Sequence, residues 1–181
     1  MTRQQIILWA SAYLIELFAV IYFTRATVRR VVGAMAGGAA AGLLGLAAIA
    51  LCEAVGWWRI PFASTPYFRS LFYLGLSISL TPIYLVTWRL ARRFGWRGLA
   101  VFVGIVTIIG PPRDYLIAAV FPKWMVFALG VAPILADGAT YFGIVLLGHA
   151  MMRLIAGPAN HDRLARQSIE AAPRLVGPEP G

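Results

Sequence analysis

Long apolar runs separated by short polar segments form the pattern of this chain. The hydrocarbon core of a bilayer is about 30 Å thick, so a helix needs ~20 mainly apolar residues to cross it. The pattern predicts an all-α polytopic membrane protein of about five transmembrane helices, with the helical bundle in residues 1–156. The predicted helices are 4–24, 31–57, 67–88, a fourth beginning near 98, and 124–152.

The composition agrees with lipid as the solvent of this chain. Hydrophobic residues make up 60% of the 181 residues and charged residues only 13%, whereas soluble domains carry about 25% charge. The net charge of +9 would suggest a nucleic-acid partner if the basic residues followed one face, but they form short clusters between the apolar runs. We therefore expect the lipid bilayer as a partner and no nucleic acid.

The first apolar run has an alternative interpretation as a cleaved signal peptide, because it lies at the N-terminus behind a single arginine. Glu16 in its middle does not fit the apolar region of such a peptide. The run also ends in Phe-Thr-Arg instead of a small-residue cleavage site. A retained helix is the favoured interpretation.

The positions of the arginines predict the orientation of the chain. Positively charged loops are retained in the cytoplasm. The segments after the first, third and fifth predicted helices hold eleven of the sixteen Lys and Arg residues, and with five spans they share one face. The prediction is a multi-pass protein of the cell inner membrane with its N-terminus outside and its C-terminus in the cytoplasm. The polar tail 157–181 is expected to be disordered.

The fourth predicted helix contains an interruption at Gly110-Pro111-Pro112. Two consecutive prolines cannot continue a helix interior, but proline suits a first helical turn. We therefore predict that helix four is broken there and that a short second helix follows. Asp114 would lie in its first turn, where the helix dipole favours an anion. Non-helical backbone at membrane depth is tolerated against protein or a water-filled cavity, so the break is a candidate edge of a site.

Four of the seven acidic residues lie within or at the edge of apolar runs, namely Glu16, Glu53, Asp114 and Asp137. An ionised side chain at the bilayer centre costs at least ~2.5 kcal/mol, so such residues usually face the bundle interior and have partners. At ~1.5 Å per residue, Glu16 and Asp137 lie at similar depths from the outer face, so the two carboxyls could meet. A carboxyl pair that only joins two helices is the structural alternative to a proton-handling site.

Asp137 has the most suggestive neighbours in sequence. Pro133 deprives the carbonyl of Leu129 of its helical partner, which predicts a kink. Thr140 and Tyr141 share the helix face of Asp137. A carboxyl beside hydroxyl groups on a kinked helix can hold a proton or bind the polar head of a ligand.

The candidate catalytic residues are Glu53, Asp114 and Asp137, which we interpret as proton donors or acceptors. Arg113 would hold an anionic or polar head group. The remaining candidate substrate-binding residues, which would line an outward-facing pocket, are Glu16, Trp58, Arg59, Tyr115 and Tyr141. The alternative is an ordinary interfacial cluster, because helix ends in membranes collect Arg, Trp and Tyr.

The second predicted helix is rich in glycine, with the pairs Gly33-x-x-x-Gly37 and Gly38-x-x-x-Gly42. Small residues one turn apart let another backbone approach closely, and in lipid such packing replaces the hydrophobic drive. Contact within the chain is the favoured interpretation. A homo- or hetero-oligomer through Gly33, Gly37, Gly38 and Gly42 is the alternative.

No motif in the sequence identifies a reaction. Metal-ligand histidine spacing, a nucleotide-binding glycine loop and a nucleophile elbow are all absent from it, so we predict neither a metal nor another cofactor. The preferred hypothesis is an intramembrane acid–base enzyme that acts on a hydrophobic small molecule such as a lipid or isoprenoid. The alternatives are a non-catalytic subunit or assembly factor that packs through its glycine-rich helix, and a small proton-coupled transporter using Glu16 and Asp137.

Overall fold

The computed structural model describes residues 3–61 and 66–158, and within these ranges the chain is built mainly from helices. The predicted all-α class is confirmed apart from one short ribbon. The predicted tail, from residue 159 onward, lies outside the described residues. The elements in chain order are α1 (Arg3–Thr24), α2 (Val28–Ala54), β1 (Trp58–Arg59), α3 (Pro66–Val120), β2 (Val126–Phe127) and α4 (Val131–Ala156).

Three helices of the described ranges, α2, α3 and α4, are long and apolar enough to cross a membrane. The apolar part of α1, Ala10–Thr24, is shorter. Helix α3 has 55 residues, far more than the ~20 that one crossing requires. Its backbone leaves helical geometry at Gly95, where φ is 63° and ψ is −154°. Glycine adopts such angles without a steric penalty, so Gly95 divides α3 into the segments 66–94 and 96–120.

The predicted break at 110–112 is wrong, because Gly95 is the position at which α3 loses helical geometry. Pro111 removes the amide that would bond to the carbonyl of Thr107. That carbonyl faces Gly138 of α4, where a Cβ would lie 3.5 Å from the oxygen. Close packing against α4 therefore covers the position at which α3 lacks its own hydrogen bond, and the helix continues.

Gly110 has a packing role within the continuous helix. A Cβ at this position would overlap the ring of Tyr141 on α4. The glycine therefore provides room for an aromatic side chain, and it does not end the helix.

Helix α4 begins later than the sequence predicts, at Val131 instead of Trp124. Pro133 consequently lies in the first turn, where its missing amide has no helical partner to lose, and the predicted kink at Leu129 is wrong. The preceding residues include β2, which pairs antiparallel with β1 so that Trp58 lies opposite Phe127.

Helix α2 packs against both α3 and α4, whereas α1 packs on α3. Glycines on α2 permit these close approaches. A Cβ on Gly33 or Gly37 would contact backbone atoms of α4, and one on Gly38 or Gly42 would contact Ser77 of α3. The four glycines therefore pack within the chain, and an oligomer through them stays a prediction.

Arginines from different segments meet at one end of the bundle. Nε of Arg29, at the start of α2, donates to the carbonyl of Ile155 near the end of α4, at 3.1 Å. Nη1 of Arg89 in α3 donates to the carbonyl of Phe23 at the end of α1, at 2.7 Å. We call this end, which carries Arg29, Arg30, Arg89 and Arg92, the basic end.

Candidate functional site

Two carboxylates, Asp114 of α3 and Asp137 of α4, are buried toward the end opposite the basic end. Their residues are 8% and 4% exposed, and they lie close enough to interact electrostatically. Asp137 is in the second turn of α4. The continuous second segment of α3 brings Asp114 beside it.

Arg113 and Tyr141 together bind both carboxylate oxygens of Asp114. Nε and Nη2 of Arg113 donate to Oδ1 at 3.0 and 2.8 Å. The hydroxyl of Tyr141 donates to Oδ2 at 2.7 Å, and it accepts a further hydrogen bond from Nη2 of Arg113. Charge-assisted bonds of this kind are stronger than neutral ones, so the network anchors α3 to α4 at the site.

Asp137 differs from Asp114 because its Oδ2 is buried and has no hydrogen-bond partner among the described residues. Leaving a buried polar atom unpaired costs about 1–3 kcal/mol, and such atoms call for an explanation. Cys52 of α2 and Tyr115 of α3 lie within electrostatic range of this carboxyl. This oxygen can therefore hold a proton without breaking a hydrogen bond to a described residue.

Aromatic side chains from the β1–β2 ribbon and α3 pack beside the carboxylates. The hydroxyl of Tyr115 donates to the carbonyl of Ala128 at 2.9 Å, and its ring stacks on Phe127 with centroids 4.7 Å apart. Trp58 packs edge-on against Phe127 at 5.4 Å. The indole of Trp58 is buried, and within the described ranges its Nε1 has no hydrogen-bond partner. Trp58 and Tyr115, two of the candidate substrate-binding residues, therefore belong to one aromatic cluster through Phe127.

Other predicted site residues lie away from this cluster. Glu16 and Arg59 are exposed. In the described part of the chain no hydrogen bond or ion pair joins the carboxyls of Glu16 and Asp137, and the charges that act on Asp137 are those of Asp114 and Arg113. Glu53 is exposed on α2 and lines a separate cavity with Arg69. The structure therefore groups Asp114 and Asp137 without Glu53.

Tyr13 of α1 is a site neighbour that the sequence reasoning missed. It lies within electrostatic range of Arg113 and Asp114, and also of Glu16, so α1 does reach the site through this tyrosine. Its spacing of three residues from Glu16 places both on one helix face. That spacing is the sequence feature from which Tyr13 could have been included in the candidate site.

Thr107 of α3 is a second missed neighbour. Its Oγ1 is buried without a hydrogen-bond partner among the described residues. Its methyl group would lie 3.8 Å from a Cβ at Gly138, the residue after Asp137. The sequence feature that could have identified Thr107 is its position one turn before Pro111, since proline has no amide N–H to donate to the Thr107 carbonyl.

The cluster combines three chemical capacities. Asp137 has an unpaired carboxyl oxygen, Asp114 is held by two donors, and the side chain of Arg113 is still 60% exposed. Such a set can exchange a proton at one carboxyl while a guanidinium contacts a polar group nearby. Compared with protein-family models, with curated proteins and with solved structures, the chain has no match.

Proposed function

We propose that the chain is an intramembrane enzyme that performs acid–base chemistry on a hydrophobic small molecule, of the lipid or isoprenoid type. One observation carries the proposal. The buried Oδ2 of Asp137 has no hydrogen-bond partner among the described residues. Carboxyls are among the groups that enzymes use for proton transfer, which typically contributes 10²–10⁴-fold to a rate. Intramembrane ionisable residues are functional-site hypotheses by default.

In the proposed mechanism Asp137 gives the proton to, or takes it from, the reacting group of the substrate. Asp114 is a positioning residue that holds Arg113 and Tyr141 through the hydrogen bonds described above. The exposed part of Arg113 binds an anionic or polar head group. Trp58 and Tyr115 contact the apolar body of the substrate.

We also propose that the chain crosses the cell inner membrane five times, with its N-terminus outside and its C-terminus in the cytoplasm. The division of α3 at Gly95 supports two crossings by that helix. The contacts of Arg29 and Arg89 support a single basic face, which the positive-inside rule assigns to the cytoplasm. With this orientation the Asp137 cluster lies toward the outer side.

The transporter alternative receives less support than the enzyme. It relies on Glu16 and Asp137 sharing a proton at the same depth, and Glu16 is exposed on α1. The assembly-factor alternative relies on a partner at the glycines of α2, which contact helices of the same chain.

The test is a lipid and small-molecule analysis of a strain that lacks this chain, complemented with wild type, Asp137→Asn or Glu16→Gln. The isosteric amide keeps the volume of Asp137 but cannot titrate. The enzyme hypothesis expects a hydrophobic precursor that accumulates in the deletion and Asp137→Asn strains and is cleared by wild type and by Glu16→Gln, the matched carboxylate control. Full rescue by Asp137→Asn would contradict the enzyme and favour the assembly factor.

A further inference from the structure

A cavity of about 260 Å³ lies between α2 and α3. Four of its α2 residues follow the spacing i, i+3, i+4 and i+7, which is one stripe of a helix. The residues that line the cavity include neither Asp114 nor Asp137, nor the two side chains that bind Asp114. The cavity is therefore separate from the Asp137 cluster. The four residues are Leu46, Ile49, Ala50 and Glu53.

The walls of the cavity are apolar, and two opposite charges line it. Phe72 of α3 and Ile60 contribute to the walls, while Glu53 and Arg69 supply a carboxylate and a guanidinium. Neither charge makes a hydrogen bond or an ion pair with a described residue. Two opposite charges that line one cavity without binding each other leave room for a ligand that carries both charges.

The size of the cavity limits what can occupy it. Pockets for drug-sized ligands measure roughly 300–1,000 Å³, so 260 Å³ accepts a segment of one hydrocarbon chain. Along α2, the stripe from Leu46 to Glu53 covers about 10 Å at ~1.5 Å per residue. Glu53 lies at the end of this stripe next to the tryptophans at 57 and 58, residues that favour the membrane interface.

We propose that this cavity binds a zwitterionic phospholipid of the ethanolamine type, with part of one acyl chain inside it. Arg69 binds the phosphate, because guanidinium and phosphate form charge-assisted, often bidentate hydrogen bonds. Glu53 accepts hydrogen bonds from the primary ammonium. A choline head has no N–H to donate, and a glycerol head offers Glu53 no cation. The cavity therefore distinguishes head groups, and the site is independent of the function proposed above.

The experiment uses the purified full chain in bilayers that contain ethanolamine, choline and glycerol phospholipids in equal amounts with identical acyl chains. After gentle transfer to detergent, native mass spectrometry quantifies the lipids that stay bound. We expect wild type to retain the ethanolamine lipid in excess. Glu53→Gln and Arg69→Gln should each lower this excess by about ten-fold, the change expected for one lost charge-assisted hydrogen bond. Glu16→Gln, at an exposed carboxylate outside the cavity, should leave it unchanged.

A second variant tests the acyl-chain part of the proposal. Ala50→Phe should fill the cavity and reduce retention of the ethanolamine lipid, whereas Ala54→Phe, at an exposed alanine outside the cavity lining, should not. Should Ala50→Phe fail to fold, the two charge variants decide, since Glu53 and Arg69 are exposed. Equal retention of all three lipids would overturn the proposal in favour of non-specific annular lipid. Preferred retention of the glycerol lipid, unaffected by Glu53→Gln, would overturn it in favour of an anionic lipid site.

Discussion

The hydroxyl of Tyr141 donates a 2.7 Å hydrogen bond to Oδ2 of Asp114. This bond joins α4 to the second segment of α3 at the level of Asp137, which lies one turn before Tyr141 on the same helix. The position of the Asp137 carboxyl thus depends on Tyr141, a residue that need not contact the substrate.

Replacing Tyr141 by Phe is expected to weaken this connection while keeping the ring against Gly110. Interhelical hydrogen bonds in membranes contribute ~0.6 kcal/mol on average and up to ~1.7 kcal/mol, so unfolding in detergent should show a loss within this range. Turnover should fall as well, because Asp114 and Arg113 lose a fixed partner. Tyr22→Phe, at a tyrosine that is 78% exposed, is the control. Wild-type stability and turnover in Tyr141→Phe would contradict the anchoring role.

The role of Gly110 can be tested with a matched pair of glycines in the same helix segment. A Cβ at Gly110 would overlap Tyr141, whereas one at Gly104 would have nothing within 4 Å. Gly110→Ala should destabilise the protein by about 1–3 kcal/mol through overpacking. Gly104→Ala should stabilise the helix by roughly 0.5–1 kcal/mol, because alanine loses less conformational freedom. Equal thermal unfolding of the two variants would show that Gly110 has no packing role.

The bundle was predictable from the sequence because membrane helices are specified by the length and apolarity of local segments. The exact bounds were less predictable. Residues 124–130 are as apolar as a helix, yet two of them pair with β1, and strand pairing depends on a partner that is distant in sequence. Gly110-Pro111-Pro112 has the composition of a helix end, but contacts with Tyr141 and Gly138 make it a packing surface. The actual bend, at Gly95, lies in a segment predicted to be a loop.

The candidate site was predictable in part for a related reason. The cost of burying charge identified Asp114 and Asp137 correctly as buried residues. The same rule did not distinguish Glu53, because consecutive helix residues are ~100° apart and Glu53 faces a different side of α2 from Cys52. Depth alone also could not show that α1 packs on α3.

The proposed topology can be tested with single cysteines in a Cys52→Ala background. Lys123, in the turn before β2, and Arg93, near the basic end, are both exposed. In intact cells a membrane-impermeant maleimide should label Lys123→Cys and should label Arg93→Cys only after permeabilisation. The proposed topology places one membrane crossing between positions 93 and 123. Labelling of both positions from the same side would therefore contradict it.

The most direct measurement of the central claim is the turnover of purified wild type, Asp137→Asn and Glu16→Gln in vesicles. The substrate is the hydrophobic fraction that accumulates when the chain is missing. If Asp137 transfers a proton, Asp137→Asn should lower kcat by about 10²–10⁴-fold, the usual contribution of a general acid or base. Its thermal unfolding should match that of wild type, and Glu16→Gln should turn over normally. Undiminished turnover in Asp137→Asn would contradict the acid–base role.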